Sequence, residues 1–259
     1  MRLVGILTGE EGDPVALENA AAQGRVILVC EHASRSLPKA LGTLGLSDEA
    51  LASHIAWDPG ALGVARLMAL QLDAALVFQR FSRLAYDCNR PPESPAAMPE
   101  KSEIFEVPGN AGLDQAARDA RTEALYLPFR DSLSRLVKSR IAADRAPVIV
   151  TIHTFTPVYF GKPRAVEIGI VHDSDSRLAD AMLAAAGRTP GGYDIRRNEP
   201  YGPEDGVTHT LKEHGLANAI ANVMVEVRND LVREEAGQRA VAGYLADLLV
   251  EGLTSPQVR

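Results

Sequence analysis

Cysteine is nearly absent from this chain: 259 residues carry only Cys30 and Cys88. Two thiols make neither a disulfide framework nor a CxxC metal site, so a stapled fold and a thiolate zinc knot are both excluded. Each reads as a small buried packing residue, and each adjoins a candidate site residue where oxidation would disturb the site. A basic surplus is missing too. Lys and Arg number 27 against 34 Asp and Glu, a net charge of −7 with no concentrated basic run, which argues against nucleic acid as the main partner. No apolar run is long enough to span a bilayer. The opening MRLVGILTGEEGDP has no basic n-region and meets Glu10 and Glu11 early, so no signal peptide or membrane segment is expected and the default location is the cytoplasm. No repeat and no linker divides residues 1–259, and a single domain with a sizeable core is the expectation.

What is present is a series of short β-branched runs alternating with helical spacing, which predicts an α/β layered domain. Val26 to Cys30 reads as a core strand, as do Ala74 to Arg80, Val148 to Ile152, Val166 to Val171 and Ala219 to Val227, with a short Tyr193 to Arg197 strand and one early strand in the leader before Gly24. Asp58 sits where a helix N-cap would, with Pro59 suited to the first helical position. Asp114 to Ala142 shows helical spacing, broken or kinked near Pro128, a helix capped by Asp175 or Ser176 runs to about Ala186, and Val232 to Leu253 is a closing helix. Thr189 to Gly192 reads as a turn, and Pro91 to Gly112 and Asn198 to Gly206 as long polar loops.

Three strand ends carry groups a buried strand has no structural use for. Glu31 and His32 follow the first, His153 ends the central PVIVTIHTF run, and Glu226 with Arg228 ends VMVEVRND. In open α/β sheets the ligand crevice lies beyond the carboxyl ends of the strands. His32 and His153 are therefore metal-ligand candidates, since two imidazoles, one carboxylate and an open position make a catalytic zinc set. Glu226 is the candidate base that takes a proton from water and passes it to a leaving nitrogen. Arg90, on the loop after the second strand, offers a planar fork for a substrate carboxylate, with Asn89 adding amide hydrogen bonds; Arg196 and Arg197 are weaker candidates for the same task. Of the remaining histidines, His54 reads as packing, His172 as an outer partner of the site, and His209 and His214 as surface or loop anchors.

The segments VCEHAS, HIAWDPGA, DCNRP, IHTF, the NEPY loop, DGVTHTL and VEVRNDL, in this order, resemble the N-formylglutamate amidohydrolase family, itself similar to zinc carboxypeptidases and aspartoacylase-like deacylases. The resemblance spans roughly Val26 to Leu253. It implies a mixed, mostly parallel sheet of eight or so strands between helices, a three-layer sandwich of the zinc-exopeptidase type. It also implies zinc on His32 and His153, Glu226 as general base and acid, and Asn89 with Arg90 on the carboxylate of a small acidic N-acyl amino acid. One departure stands out: the broader carboxypeptidase group has an acidic ligand three residues after its first histidine, and Arg35 occupies that position here. The third ligand must come from elsewhere. Glu31 neighbours His32 and points to the opposite face of an extended chain, whereas Asp58 has no such restriction and is preferred. Metal-dependent removal of an N-acyl, and specifically an N-formyl, group is thus the expected activity. Another acyl-amino-acid deacylase and a metal-free binding protein on the same fold are the alternatives.

Overall fold

A computed structural model describes residues 5–189 and 192–258. In chain order, β1 (Val15–Glu18) and β2 (Val26–Cys30) precede α1 (Asp48–Ala52), α2 (Ala61–Gln71) and β3 (Ala75–Gln79). The small hairpin β4 (Lys101–Ser102) and β5 (Phe105–Glu106) lies within the long loop, followed by α3 (Gln115–Arg121) and α4 (Leu127–Ala142). Then come β6 (Val148–Phe155), a second hairpin β7 (Val158–Tyr159) and β8 (Lys162–Pro163), β9 (Ile168–Val171), α5 (Arg177–Ala186), β10 (Ile195–Arg197), β11 (Asn222–Arg228) and α6 (Glu235–Leu253).

The main sheet has seven strands in the order β1-β3-β2-β6-β11-β9-β10. The run β3, β2, β6, β11 is parallel, β1 and β9 join antiparallel, and β10 is parallel to β9. The sheet is therefore mixed and mostly parallel, one strand short of the eight expected. All five residues of β2 and all eight of β6 are buried, which is why these stretches read as unbroken apolar runs instead of alternating ones. Val148, Val150 and Ile152 face a core shared with α2, α5 and α6, while Ile149 and Met224 face the core under α4. Helices thus cover both faces, and the three-layer sandwich follows.

The helical stretch after Asp114 is interrupted near Pro128 as expected: a π-helical turn at Thr122–Tyr126 separates α3 from α4, and Pro128 sits in the first turn of α4. One expectation is corrected in detail. Asp58 and Pro59 lie ahead of α2 instead of capping it. The cap is Gly60, at φ 84, and a Cβ there would stand 2.6 Å from the Val232 carbonyl oxygen, so the left-handed turn and the close approach both require glycine. The Asp58 carboxylate is thereby released from capping. Pro190 and Gly191 of the expected turn lie outside the described residues. Among the described residues no helix is long and apolar enough to cross a membrane.

Candidate active site

Because β2, β6 and β11 are adjacent and parallel, their carboxyl ends open side by side. Glu226 stands opposite His153 in the β6–β11 register, and both side chains emerge on the face that carries Ile149 and Met224. On its other side Glu226 pairs with Gly169, where a Cβ would lie 1.9 Å from the Glu199 carbonyl oxygen; only glycine lets the 198–206 loop cross above Glu226. Asp58 is brought in by its own backbone, its N–H donating to the His32 carbonyl at 2.9 Å.

The result is a buried convergence. His32 Nδ1 and His153 Nδ1 lie 3.1 Å apart, and Asp58 Oδ2 is 3.3 Å from the first and 2.9 Å from the second. These three side chains, all buried, offer one ligand atom each to a common point. A tetrahedral cation with nitrogen and oxygen ligands at about 2.0–2.1 Å sets neighbouring ligand atoms about 3.3 Å apart. The donor set fits such an ion. Two nitrogens this close cannot both present a proton, and a cation is the natural occupant for three lone pairs aimed at one place.

The outward nitrogen of each imidazole meets a carboxylate. His32 Nε2 is 2.7 Å from Asp87 Oδ1, and His153 Nε2 is 3.0 Å from Glu31 Oε2, the latter off the line of a hydrogen bond. Such outer carboxylates fix the tautomer that leaves the inner nitrogen free to ligate. Glu31, fully buried, is thus placed behind His153 and not beside the three converging atoms. Arg83 spans the set, Nη1 at 3.4 Å from Asp58 Oδ1 and Nη2 donating to Asp87 Oδ2 at 2.8 Å, and the Thr154 N–H donates to Asp58 Oδ2 at 3.2 Å. Burial alone would raise the carboxyls of Asp58 and Asp87; the imidazoles, with Arg83 on Asp87, overcome it and hold both well below the ordinary range. His153 is driven the other way: burial disfavours its charge, but Glu31 and Asp58 hold its proton well above the usual imidazole range.

Glu226 is different. Its carboxyl is 4 % exposed, Oε2 has no hydrogen-bond partner, and burial, reinforced by Asp58 and opposed by His153, pushes it up to about 7. It lines a cavity of about 170 Å³ together with His32, Asp58, His153, Arg83, Asn89, Arg90 and Tyr201. That volume suits a small metabolite.

Asn89 and Arg90 are both on this wall. Asn89 is largely committed to the backbone, Nδ2 donating to the Val207 carbonyl and Oδ1 accepting from the Thr210 N–H at 3.0 Å, so it anchors the 206–210 turn. Arg90 Nη1 donates to the carbonyls of Asn89 and Gly206. Its Nε and Nη2 find no protein acceptor among the described residues.

Other candidates fall away. Arg196 is spent on Asp194 and Glu199, and Arg197 on Asp180 and His172, all at the surface. His172 is turned to Asp173 and Arg197 instead of to the site. Arg228 does not pair with Glu226, going to Asp230 and Glu167. Arg35, the residue that departs from the expected acid, is exposed and lies 6.0 Å above the Trp57 ring, away from the converging atoms. His54, expected to pack, lies on the cavity wall 3.0 Å from Glu103. Asp87 and Arg83 were not singled out from sequence, although Asp87 begins the DCNRP motif that was.

The family model described as N-formylglutamate amidohydrolase matches residues 24–233. The crystal structure of gene product Atu2144 from Agrobacterium tumefaciens is 60% identical, with a TM-score of 0.94 over 96% of this chain and 98% of that one. The crystal structure of N-formylglutamate amidohydrolase from Ralstonia eutropha JMP134, at 17% identity and a TM-score of 0.59 over 92% of this chain and 97% of that one, shares the fold. No curated protein matches the sequence.

Proposed function

The chain belongs to the N-formylglutamate amidohydrolase family, and from that premise we propose that it hydrolyses the N-formyl amide of a small acidic amino acid, N-formyl-L-glutamate, to formate and glutamate. The observation that carries this reading is the convergence of His32, His153 and Asp58 within 3.3 Å of one another beside the unpartnered carboxyl of Glu226. His32, Asp58 and His153 would hold zinc, and the ion would supply Lewis acidity toward water and the formyl carbonyl.

The chain's own residues do the rest. Glu226 accepts a proton from the attacking water and returns it to the amide nitrogen as the C–N bond breaks, so that water is split between formate and the free amine. Buried on the cavity wall with Oε2 unpartnered, its carboxyl is free to take up that proton and give it back. Asp87 and Glu31 keep the two imidazoles oriented with Nδ1 inward. Arg90 meets the substrate α-carboxylate with its free Nε–Nη2 edge, and Asn89 adds its remaining Nδ2 hydrogen while holding the turn that supports Arg90.

Formate release from N-formyl-L-glutamate tests the reading. Wild-type protein should release it, and Glu226→Gln should be slower by about 10²–10⁴-fold, the span of a lost general acid–base. Normal turnover by that variant, or no formate from wild type with any N-formyl amino acid, would overturn it.

A further inference from the structure

Two guanidinium groups, one on the cavity wall and one packed against rings that form it, have no carboxylate partner among the described residues. Arg90 lines the cavity. Arg164, just after β8, is not in the lining itself and is not used by the reaction as described. Its central carbon lies 4.3 Å from the Tyr159 ring centroid, 4.8 Å from that of Tyr201 and 5.6 Å from that of Phe155. All three rings line the cavity. Arg164 Nη1 donates to the Tyr201 hydroxyl at 3.0 Å, and its Nε and Nη2 meet no protein acceptor among the described residues. The backbone beneath is fixed as well: Arg228, clamped to Asp230, donates to the carbonyls of Arg164 at 3.4 Å and Ala165 at 3.0 Å.

An arginine held by ring faces keeps its charge and its planar fork while losing little freedom on binding an anion. The contrast with its neighbours sharpens the point. Arg83 is spent on Asp58 and Asp87, and Arg196 on Asp194 and Glu199. In a chain with a net charge of −7, a half-buried guanidinium without an acid has its counter-ion to come from outside.

We propose that Arg164 recognises the second, side-chain carboxylate of the substrate and thereby sets the preference for acidic over neutral acyl amino acids. Arg90 and Arg164 then supply one guanidinium for each carboxylate of a dianion. This rests on the amidohydrolase reading, and the test separates the two.

Kinetics on N-formyl-L-glutamate and its neutral isostere N-formyl-L-glutamine, with calorimetric binding of L-glutamate and L-glutamine, would be measured for the metal-loaded wild type, Arg164→Met and Arg164→Lys. Loss of a charge-assisted pair predicts a fall of about 10- to 100-fold in kcat/KM for the glutamate substrate and in affinity for glutamate, carried by KM. The glutamine compounds should change less than about twofold, and lysine, which keeps charge without the fork, should fall between. Equal losses for glutamate and glutamine compounds would show a merely structural clip and overturn the proposal, as would an unchanged glutamate-to-glutamine ratio or a wild type that binds neither. If glutamate binding depends on Arg164 while no formate is ever released, the recognition stands and the amidohydrolase reading falls.

Discussion

Replacing Glu226 by glutamine should slow turnover by about 10²–10⁴-fold and at the same time stabilise the metal-free protein at alkaline pH. The carboxyl is buried, its Oε2 has no partner, and its pKa is raised from an ordinary 4.5 to about 7. Between those pH values the folded chain keeps a proton that the unfolded chain has lost. The folded state then binds more protons, so stability falls as pH rises through this window and the whole cost is present above pH 7. At about 1.36 kcal/mol for each pH decade between the two pKa values, the cost is about 3 kcal/mol. Glutamine keeps the shape and carries no titrating proton. Urea unfolding of chelator-treated wild type and Glu226→Gln at pH 4 and pH 8 measures it: the variant should be nearly level with wild type at pH 4 and about 3 kcal/mol more stable at pH 8. An advantage equal at both pH values, or none, would refute the reasoning, because the carboxyl would then not be strained by burial. A buried carboxyl proposed as the proton carrier would thus weaken the fold, a trade common at active sites.

Asp87→Asn keeps an oxygen for His32 Nε2 but removes the charge that orients and enriches the imidazole; zinc affinity by chelator competition should fall about 10- to 100-fold, and unchanged affinity would remove Asp87 from the site's support. His214, buried beside Ser134, is pushed down to about 4 by burial, so between pH 6.5 and 4 the unfolded chain takes up a proton the folded chain refuses, and stability falls by up to about 3 kcal/mol as pH drops. This slope opposes that of Glu226, so it should be read as the difference between His214→Gln and wild type, the variant gaining up to about 3 kcal/mol on wild type as pH falls from 6.5 to 4 in urea titrations. His153 holds its proton above the usual imidazole range and must release it before Nδ1 can ligate; zinc binding should therefore weaken as pH falls and liberate protons, measurable by calorimetry in buffers of different ionisation enthalpy.

The strand ends were legible because a buried parallel strand is an unbroken apolar run, and a histidine or glutamate closing one stands out against it. The placement of His32, His153 and Glu226 along one edge of the sheet follows from β2, β6 and β11 being neighbours, which parallel pairing of apolar runs suggests without fixing the order. Asp58 was legible both as a cap and as the preferred third ligand, since the Asp-Pro pattern of a helix start is the same whether the cap is Asp58 or Gly60; the crowding of Gly60 against Val232 puts the cap at Gly60. Asp87 and Glu31 show the limit more clearly. Each lies next to a residue that was singled out, but which imidazole nitrogen it meets depends on loop paths that local spacing does not encode. The hairpins carrying Glu103, Tyr159 and Arg164 use strands of two residues, too short for any periodicity to announce. The aromatic seat of Arg164 joins three separate segments and exists only in the fold.

The central claim is that His32, Asp58 and His153 hold a metal ion on which hydrolysis depends. Its most direct test is formate release from N-formyl-L-glutamate by one sample, measured as purified, after chelation, and after zinc is returned. The account predicts activity that disappears with the chelator and recovers with about one zinc bound per chain, and no such recovery in Asp58→Ala. Full activity in chelator-treated protein shown to be metal-free would contradict it.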